Sequence, residues 1–177
     1  GLEDARHIMT TLENKFIIHN FYVPAGGDIP NIKENIKFNH KIIFLNEMIK
    51  YFEKDNNNNK ILLGDLNIAP LENDVWSHKQ LLKVVSHTKL ETDLFKELIV
   101  KGNWIDAIRI KVPDEEKLFS WWSYRNKDWK KSNRGRRLDH ILVSKNLINN
   151  IADMKVYKEI RDYQKPSDHV PVSLTIK

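Results

Sequence analysis

The sequence contains no cysteine among its 177 residues. This absence excludes disulfide bonds and thiolate metal sites. The chain also lacks any apolar run close to the roughly 20 residues that a membrane-spanning helix requires, and no signal-peptide pattern is visible. We therefore expect a protein without membrane partners, located in the cytoplasm.

The composition is ordinary for a soluble protein. Hydrophobic residues make up 41% of the chain and charged residues 30%, so a substantial core can form. A length of 177 residues falls within the range of one domain, and we expect a monomer. The first residue is Gly1 rather than methionine, so we expect the chain to be processed or a piece of a longer protein.

Positive charge is modest overall but concentrated in one stretch. The net charge is +5, from 29 basic and 24 acidic residues, which is compatible with a polyanionic partner. One segment interleaves rings and cations: Trp121, Trp122, Tyr124, Arg125, Lys127, Trp129, Lys130, Lys131, Arg134, Arg136 and Arg137. A charged run is usually a solvated loop, but rings that stack on bases beside cations that meet phosphates favour nucleic acid.

The N-terminal half predicts a hairpin, a helix and a buried strand. Alternation around residues 8–12, a turn at 13–15 (Glu13, Asn14 and Lys15) and strand formers at 16–23 indicate a β-hairpin. Apolar residues recur at helical spacing between residues 31 and 54. The short apolar run at 61–63 is typical of a buried strand.

The C-terminal half mixes further helices and strands. Residues 70–91 are predicted to form short helices or loop. Thr92 is then expected to cap a helix through Ile99, with Gly102 just past its end. A short helix is expected to begin at Ser144. Strands are predicted over residues 118–124, 138–143 and 170–176. This mixture predicts the α/β or α+β class.

Polar residues follow the strand predicted at 61–63. Asp65 and Asn67 are two positions apart, so both side chains can point to the same side at the end of a strand. A carboxylate there could take a proton from water, while an amide could orient the water or a phosphate. Gly, Asp and Asn are also common turn residues, and these residues alone favour a turn.

Two further polar clusters lie next to predicted strands. Asp168 and His169 immediately precede the last strand, and such a pair suits metal binding or acid–base chemistry, or merely caps the strand. Asp139 lies inside an otherwise apolar strand. A carboxylate there is costly unless it is paired, so we expect His169 or a metal ion as its partner.

These clusters belong to a longer series of motifs. In chain order they are residues 20–24 (NFYVP), 64–70 (GDLNIAP), 119–125 (FSWWSYR), 133–139 (NRGRRLD) and 165–172 (KPSDHVPV). The series resembles the exonuclease III family of the endonuclease/exonuclease/phosphatase superfamily over essentially the whole chain. The second and last motifs are shared across the superfamily, whereas the tryptophan and Asn-Arg-Gly motifs resemble its DNA-repair branch.

The resemblance implies a fold and a reaction. The fold would be part of a four-layer α-β-β-α sandwich of the DNase I type, with residues 1–177 forming a single partial domain that lacks the first strands. The reaction would be Mg²⁺-dependent hydrolysis of DNA phosphodiesters, with Mn²⁺ as an alternative ion. It would cut 5′ to abasic sites and remove nucleotides from 3′ ends of double-stranded DNA.

The resemblance also implies catalytic roles. Tyr22 would contact the scissile phosphate, Asp65 would activate the attacking water, and Asn67 would orient Asp65 and the phosphate. His169 would stabilise negative charge on the phosphoryl oxygens, and Asp139 would hold His169 in place.

Residues for metal and DNA binding follow in the same way. Those near the metal would be Asp65, Asn67, Asp168 and His169, but the family's metal-binding asparagine and glutamate precede the first hairpin of this chain and are missing. The DNA and abasic-site pocket would include Trp121, Arg125, Asn133, Arg134 and Arg136. Arg136 departs from the family, which usually has a bulky apolar residue there.

Two alternative functions remain open. The chain could bind DNA without catalysis, because the missing glutamate predicts little activity and weak Mg²⁺ binding. It could also be a superfamily member that acts on phosphoinositides or other small phosphates, although the tryptophan motif and the basic stretch argue against this.

Overall fold

A computed structural model describes residues 4–13, 15–126 and 128–177 of the chain. The predicted turn residue Asn14 and the cation Lys127 lie outside the described residues, as does the N-terminal Gly1.

Strands and helices alternate irregularly along the chain. The strands are β1 (His7–Thr11), β2 (Ile17–Tyr22), β3 (Lys60–Asp65), β4 (Trp104–Asp106), β5 (Trp121–Trp122), β6 (Gly135–Arg136), β7 (Asp139–Ser144), β8 (Ile151–Val156) and β9 (Val172–Ile176). The α-helices are α1 (Ile36–Glu53), α2 (His78–Leu81), α3 (Lys89–Lys101), α4 (Ala107–Lys111) and α5 (Trp129–Ser132). Short 3-10 helices cover Glu72–Asp74, Lys145–Asn150 and Lys158–Asp162. The predicted mixed α/β class is confirmed.

A five-stranded sheet in the order β1-β2-β3-β7-β4 forms the centre. The predicted hairpin is confirmed, since β1 and β2 pair antiparallel. β2 and β3 are parallel because α1 carries the chain back between them. β7 lies antiparallel between β3 and β4, so residues distant in sequence meet at one sheet end.

Opposite faces of this sheet pack against different elements. Leu62 faces a core formed with α1 and α3, where Phe52 and Leu98 are buried. Its neighbour Ile61 points the other way, into a cluster with Leu174 on the two-stranded β8–β9 sheet. This reversal follows from the two-residue repeat of a strand. Among the described residues no helix is both long and apolar enough to cross a membrane.

The predicted start of the helix at Thr92 is wrong. The helix α3 begins at Lys89, and Thr88 is its N-cap. The Thr88 hydroxyl group accepts from the Glu91 backbone N–H, and the Glu91 carboxylate accepts from the Thr88 N–H. This reciprocal capping box satisfies two N–H groups that the helix leaves unpaired, so it determines the start. Thr92 lies inside the first turn and donates to the Lys89 carbonyl.

Several predicted strands differ in extent. Of residues 118–124 only Trp121 and Trp122 form a strand, whereas Leu118 and Phe119 are buried in loop structure. The last strand begins at Val172 rather than at residue 170. The predictions of a strand at 138–143 and a helix after Ser144 agree with β7 and Lys145–Asn150.

Sequence patterns missed three strands, of which β6 has only two residues. β4 has only three residues, too few to show a period. β8 alternates buried or half-buried positions with exposed ones, and its exposed positions carry Asp153 and Lys155. Pairing with β9 forms this strand, which local sequence does not reveal.

Candidate active site

Three candidate side chains form a row across the sheet. Tyr22, at the end of β2, is the register partner of Asp65, at the end of β3. Asp65 is in turn the partner of Asp139, at the start of β7. Directly paired residues point to the same face, so the sheet topology brings together residues separated by more than a hundred positions.

The loop after β3 fixes the Asp65 carboxylate. Its Oδ1 accepts from the Asn67 backbone N–H at 2.9 Å, and its Oδ2 from the Asn67 side-chain amide at 3.0 Å. The same amide donates to the Val23 carbonyl at 2.9 Å. Asn67 has a φ of 52°, a left-handed conformation that Asn tolerates better than most residues. The loop is therefore a turn that also orients a carboxylate.

A glycine is required before Asp65. Gly64 has a φ of 131°, and a Cβ there would lie 2.0 Å from the Phe21 carbonyl oxygen. Any side chain would push β2 and β3 apart. The Gly-Asp-x-Asn motif therefore combines a packing requirement with the polar residues of the candidate site.

Burial makes the Asp65 carboxylate unusually basic. Desolvation and the nearby negative charge of Asp139 raise its pKa to about 6, against the opposing charge of His169 and the hydrogen bond from Asn67. A carboxylate with such a pKa is still largely ionised at neutral pH but accepts a proton more readily than an exposed aspartate.

Asp139 orients the imidazole of His169. Nδ1 of His169 donates to Oδ2 of Asp139 at 2.8 Å, so the expected pairing of these residues is present. The Ser120 hydroxyl group also donates to that oxygen, at 2.6 Å. Nε2 of His169 then lies 3.9 Å from Oδ2 of Asp65. The ring is thus positioned between the two carboxylates.

The surroundings of His169 favour its charged form. Burial opposes protonation, but the hydrogen bond to Asp139 and the charges of Asp139, Asp65 and Asp168 outweigh it and raise the pKa of His169. A protonated Nε2 can donate a hydrogen bond to an anionic group between His169 and Asp65.

Asp168 contacts an aromatic residue of the site. Its Oδ2 accepts from the indole N–H of Trp121 at 2.9 Å, and its backbone carbonyl accepts from the Trp122 N–H. Trp121 also forms an isolated bridge with His169. These contacts join the segment before β9 to β5.

A cavity of about 750 Å³ opens over these residues. Its lining includes Tyr22, Asp65, Asn67, Trp76, Trp121, Arg125, Arg134, Arg136, Asp168 and His169. Asp139 is behind His169 and does not line the cavity. Rings, cations and carboxylates therefore share one concave surface, as expected of a polar ligand site.

The predicted DNA-binding residues differ in whether they line the cavity. Arg125, Arg134 and Arg136 line the cavity, and the Arg134 guanidinium lies 4.7 Å from the centroid of the Trp76 ring. Asn133 is absent from the lining; its side chain accepts from the indole N–H of Trp122 at 3.1 Å and its backbone caps α5. In this arrangement Asn133 supports the wall rather than facing a ligand.

The sequence motifs did not reveal the hydrogen bond from Ser120 to Asp139 or the ion pair between Lys41 and Glu91. Lys41 is fully buried; its ammonium group donates to the Asn67 carbonyl at 2.7 Å and pairs with Glu91 at 2.5 Å. The only sequence signal for Lys41 is a cation at a position of α1 that the helical repeat places among buried residues. For Ser120 the only sequence signal is a hydroxyl group beside an apolar residue, the buried Phe119.

The acidic residues fit a hard cation only in part. In the described ranges no three His, Asp or Glu side chains are arranged to hold a metal ion. Asp65 and Asp168 nevertheless line the same cavity, and Asp65 and Asp139 repel one another. Such an oxygen-rich, negatively charged set suits a cation that takes a few carboxylates and keeps several waters.

Sequence comparison identifies relatives. Residues 37–169 match the model of the endonuclease/exonuclease/phosphatase family. Exodeoxyribonuclease III of Haemophilus influenzae is 34% identical over 182 residues, covering 96% of this chain and 67% of that protein. An exodeoxyribonuclease of Bacillus subtilis is 28% identical over 176 residues, covering 98% and 65%. The chain thus spans about two thirds of the length of these relatives.

Solved structures of similar proteins have the same fold as this chain. An AP endonuclease of Archaeoglobus fulgidus superposes with a TM-score of 0.87 at 26% identity, covering 97% of this chain and 65% of that one. A 3′-5′ exonuclease of Neisseria meningitidis gives a TM-score of 0.86 at 26% identity and the same coverage. The chain belongs to the endonuclease/exonuclease/phosphatase family and is related to exodeoxyribonuclease III and AP endonucleases.

Proposed function

We propose that the chain acts as a DNA-repair nuclease that hydrolyses phosphodiesters of double-stranded DNA at abasic sites and at 3′ ends. The arrangement of Asp65 and the Asp139–His169 pair carries the proposal. A potential base lies 3.9 Å from a protonated imidazole, at a cavity lined by rings and cations. A phosphate needs this combination of base, positive charge and positioning.

Asp65 is the proposed base. Its pKa of about 6 leaves it ionised at neutral pH, so it can take the proton of the water that attacks phosphorus. Asn67 holds both carboxylate oxygens through its backbone and side-chain N–H groups. This fixes the direction from which the water is deprotonated.

His169 is the proposed electrostatic stabiliser. With Nδ1 bound to Asp139, its Nε2 is free to donate to a phosphoryl oxygen. Its raised pKa keeps this donor charged, and a positioned charged donor lowers the barrier most where water is excluded. Tyr22 projects into the same cavity from β2 and would contact the phosphate.

Mg²⁺, or Mn²⁺, is the proposed metal ion. Asp65, Asn67 and Asp168 offer oxygen ligands, while His169 suits hydrogen-bond donation better because Mg²⁺ prefers oxygen. When bound, the ion would neutralise negative charge on the phosphate and the leaving oxygen.

Double-stranded DNA is the proposed partner, and the chain is proposed to act as a monomer in the cytoplasm. Trp76, Trp121 and the arginines of the cavity can contact bases, sugars and phosphates. The relatives named exodeoxyribonuclease and AP endonuclease support this choice over small phosphates.

An incision assay tests the proposal. A duplex with one abasic site and a labelled 5′ end on the same strand is incubated with the chain, with and without Mg²⁺. We expect weak Mg²⁺-dependent cleavage, in line with the little activity predicted from the sequence, and a further loss of about a hundredfold or more in Asp65→Asn, the range for loss of a general base. Asp153→Asn, at an exposed position of β8, is the matched control and should leave cleavage unchanged.

The alternatives give other results. Salt-sensitive duplex binding without any cleavage would indicate a DNA-binding protein without catalysis. Release of phosphate from small phosphate esters, with no effect on DNA, would indicate a small-phosphate enzyme.

Replacing Lys130, Lys131 and Arg134 with neutral residues should weaken binding to every DNA sequence and flatten the salt dependence of that binding.

A further inference from the structure

Two hydrogen-bonded histidines lie outside the catalytic cavity and have no part in the proposed reaction. His78 begins α2, and its Nδ1 lies 2.8 Å from Nε2 of His87. Nδ1 of His87 lies 2.6 Å from the backbone carbonyl oxygen of Ala69. On its other side His78 faces Glu72, whose Oε1 lies 3.5 Å from Nε2 of His78. The lining of the catalytic cavity includes neither histidine and does not include Glu72.

The carbonyl group of Ala69 determines the tautomers of both rings. A carbonyl oxygen only accepts hydrogen bonds, so Nδ1 of His87 carries a proton. His87 is buried, and burial lowers the pKa of its imidazole. The ring is therefore neutral at pH 7, and its Nε2 can only accept. The bond between the histidines then requires Nδ1 of His78 to donate. In neutral His78 the lone pair is consequently on Nε2, the atom that faces the Glu72 carboxylate.

An imidazole lone pair and a carboxylate oxygen facing one another require a positive charge between them. A proton supplies it in a direct ion pair, as between His40 and Asp4, where Nε2 and Oδ2 lie 2.6 Å apart. The distance of 3.5 Å between His78 and Glu72 is longer than a hydrogen bond. It matches the separation of about 3.4 Å between two ligands that each lie about 2.1 Å from a tetrahedral Zn²⁺ ion.

The surroundings of His78 suit a metal ligand. A histidine that binds a metal ion usually donates its other N–H to a fixed acceptor, which orients the ring and makes the binding nitrogen more basic. Nε2 of His87 is such an acceptor, and Ala69 fixes it in turn. The side chains of His78 and Glu72 are 38% and 75% exposed, so an ion can reach both from the solvent.

We propose that His78 and Glu72 bind a divalent transition-metal ion of the Zn²⁺ type, with His87 as the residue that positions His78. Two protein ligands leave the remaining positions to water, so we expect weaker binding than at a closed structural zinc site. The imidazole ligand separates this ion from the proposed Mg²⁺, which prefers oxygen. Once bound, the ion would connect the 3-10 helix Glu72–Asp74 to α2 and, through His87, to Ala69.

Isothermal titration of the full chain with Zn²⁺ tests the site, with excess Mg²⁺ present to compete at the catalytic carboxylates. We expect a Zn²⁺-binding event that His78→Gln weakens about tenfold or more, because the substitution removes the imidazole nitrogen. Glu72→Gln, at the surface, should weaken the same event because an amide oxygen carries no charge. His40→Gln is the matched control: it alters the other histidine–carboxylate pair and should leave the affinity unchanged.

NMR of the unmodified chain tests the same arrangement without any substitution. At pH 8 the ring ¹⁵N resonances should show Nδ1 protonated and Nε2 unprotonated in both His78 and His87. Zn²⁺ should then shift the Nε2 resonance of His78 and leave that of His40 in place. This tautomer pattern reports the positioning role of His87 directly, because only its Nε2 can fix the proton of His78 on Nδ1.

The outcomes are separate from those of the proposed function. Zn²⁺ affinity that is the same in the unmodified chain, His78→Gln and Glu72→Gln overturns the site. An Nε2 resonance of His78 that does not respond to Zn²⁺ also overturns it. A proton on Nε2 of His87 overturns the positioning role. None of these results bears on cleavage of DNA with Mg²⁺, which tests the proposed function.

Discussion

At the scale of single residues, the contact between His169 and Asp139 determines the charge of the site. His169 is half-buried, and burial alone would lower its pKa; the hydrogen bond to Asp139 and the neighbouring carboxylates reverse this. The imidazole charge therefore depends on a residue that does not itself line the cavity.

The substitution Asp139→Asn tests this dependence. We expect a lower pKa of His169, because the variant removes the largest contribution that favours the imidazolium while burial remains. Titration of the His169 ring resonances by NMR measures the change directly. Asp153→Asn should leave the titration curve in place, and an unchanged curve in Asp139→Asn would show that the pair is only structural.

At the scale of elements, the buried ion pair between Lys41 and Glu91 joins three parts of the site. Lys41 belongs to α1 and bonds the Asn67 carbonyl in the loop after β3. Glu91 belongs to α3 and accepts a hydrogen bond from the backbone N–H of Ser86. Ser86 itself has a φ of 85°. The pair thus fixes the turn that orients Asp65 and the loop that holds Arg136.

Removing one partner of this pair should cost far more than removing both charges. We expect Lys41→Met to lower the free energy of unfolding by about 3–5 kcal/mol, because it leaves the Glu91 carboxylate buried and uncompensated. The double variant Lys41→Met/Glu91→Gln should recover part of this loss. Urea denaturation of the single and double variants gives the coupling. Additive losses would contradict it.

At the scale of the whole molecule, the central sheet has one poorly covered edge. Every residue of β1 is exposed, and Ile8 and Met9 are 70% and 55% exposed. An exposed edge strand with apolar side chains is a template for pairing with another chain. We therefore expect the proposed monomer to self-associate as the protein concentration is raised.

Ile8→Lys should reduce this association, because a charge on an edge strand opposes pairing with a second chain. Sedimentation velocity over a range of protein concentrations measures the effect. Ile36→Lys is the control: Ile36 is 81% exposed at the start of α1, away from the edge. Equal effects of both substitutions would indicate general apolar association rather than edge pairing.

The stability of the whole molecule should fall at mildly acidic pH. Burial lowers the pKa of His19 and of His140 to about 4, below the ordinary value of about 6.5 that they regain on unfolding. Between these values the unfolded chain binds more protons, so stability falls as pH falls. Asp65, with its raised pKa, binds a proton more readily when folded and opposes part of the loss.

Variants separate these contributions. The free energy of unfolding, measured by urea denaturation between pH 7 and pH 5, should decline with a slope of up to about 1.4 kcal/mol per pH unit for each net proton taken up. His140→Leu should flatten the decline, whereas Asp65→Asn should steepen it. A slope that does not respond to either substitution would assign the effect to other groups.

The sequence by itself determined which chemistry is available and where the strands that carry it end. The alternation at residues 8–12, the apolar run at 61–63 and the polar residues after it predicted the hairpin, β3 and the Asp65–Asn67 turn, because these signals are local. The costly carboxylate of Asp139 predicted a partner, and His169 is bound to it.

Tertiary structure alone decided what these groups do to one another. The register that sets Tyr22, Asp65 and Asp139 side by side depends on strands paired across long stretches of chain. The compensation of Lys41 by Glu91 and, among the described residues, the absence of a counterion for Arg136 likewise follow from packing. The start of α3 after its Thr88 cap is different, because the Thr-x-x-Glu capping box is a local signal. Burial and the electric field of neighbouring groups have no local sequence period, so charge, pKa and ligand preference emerge only when the chain is folded.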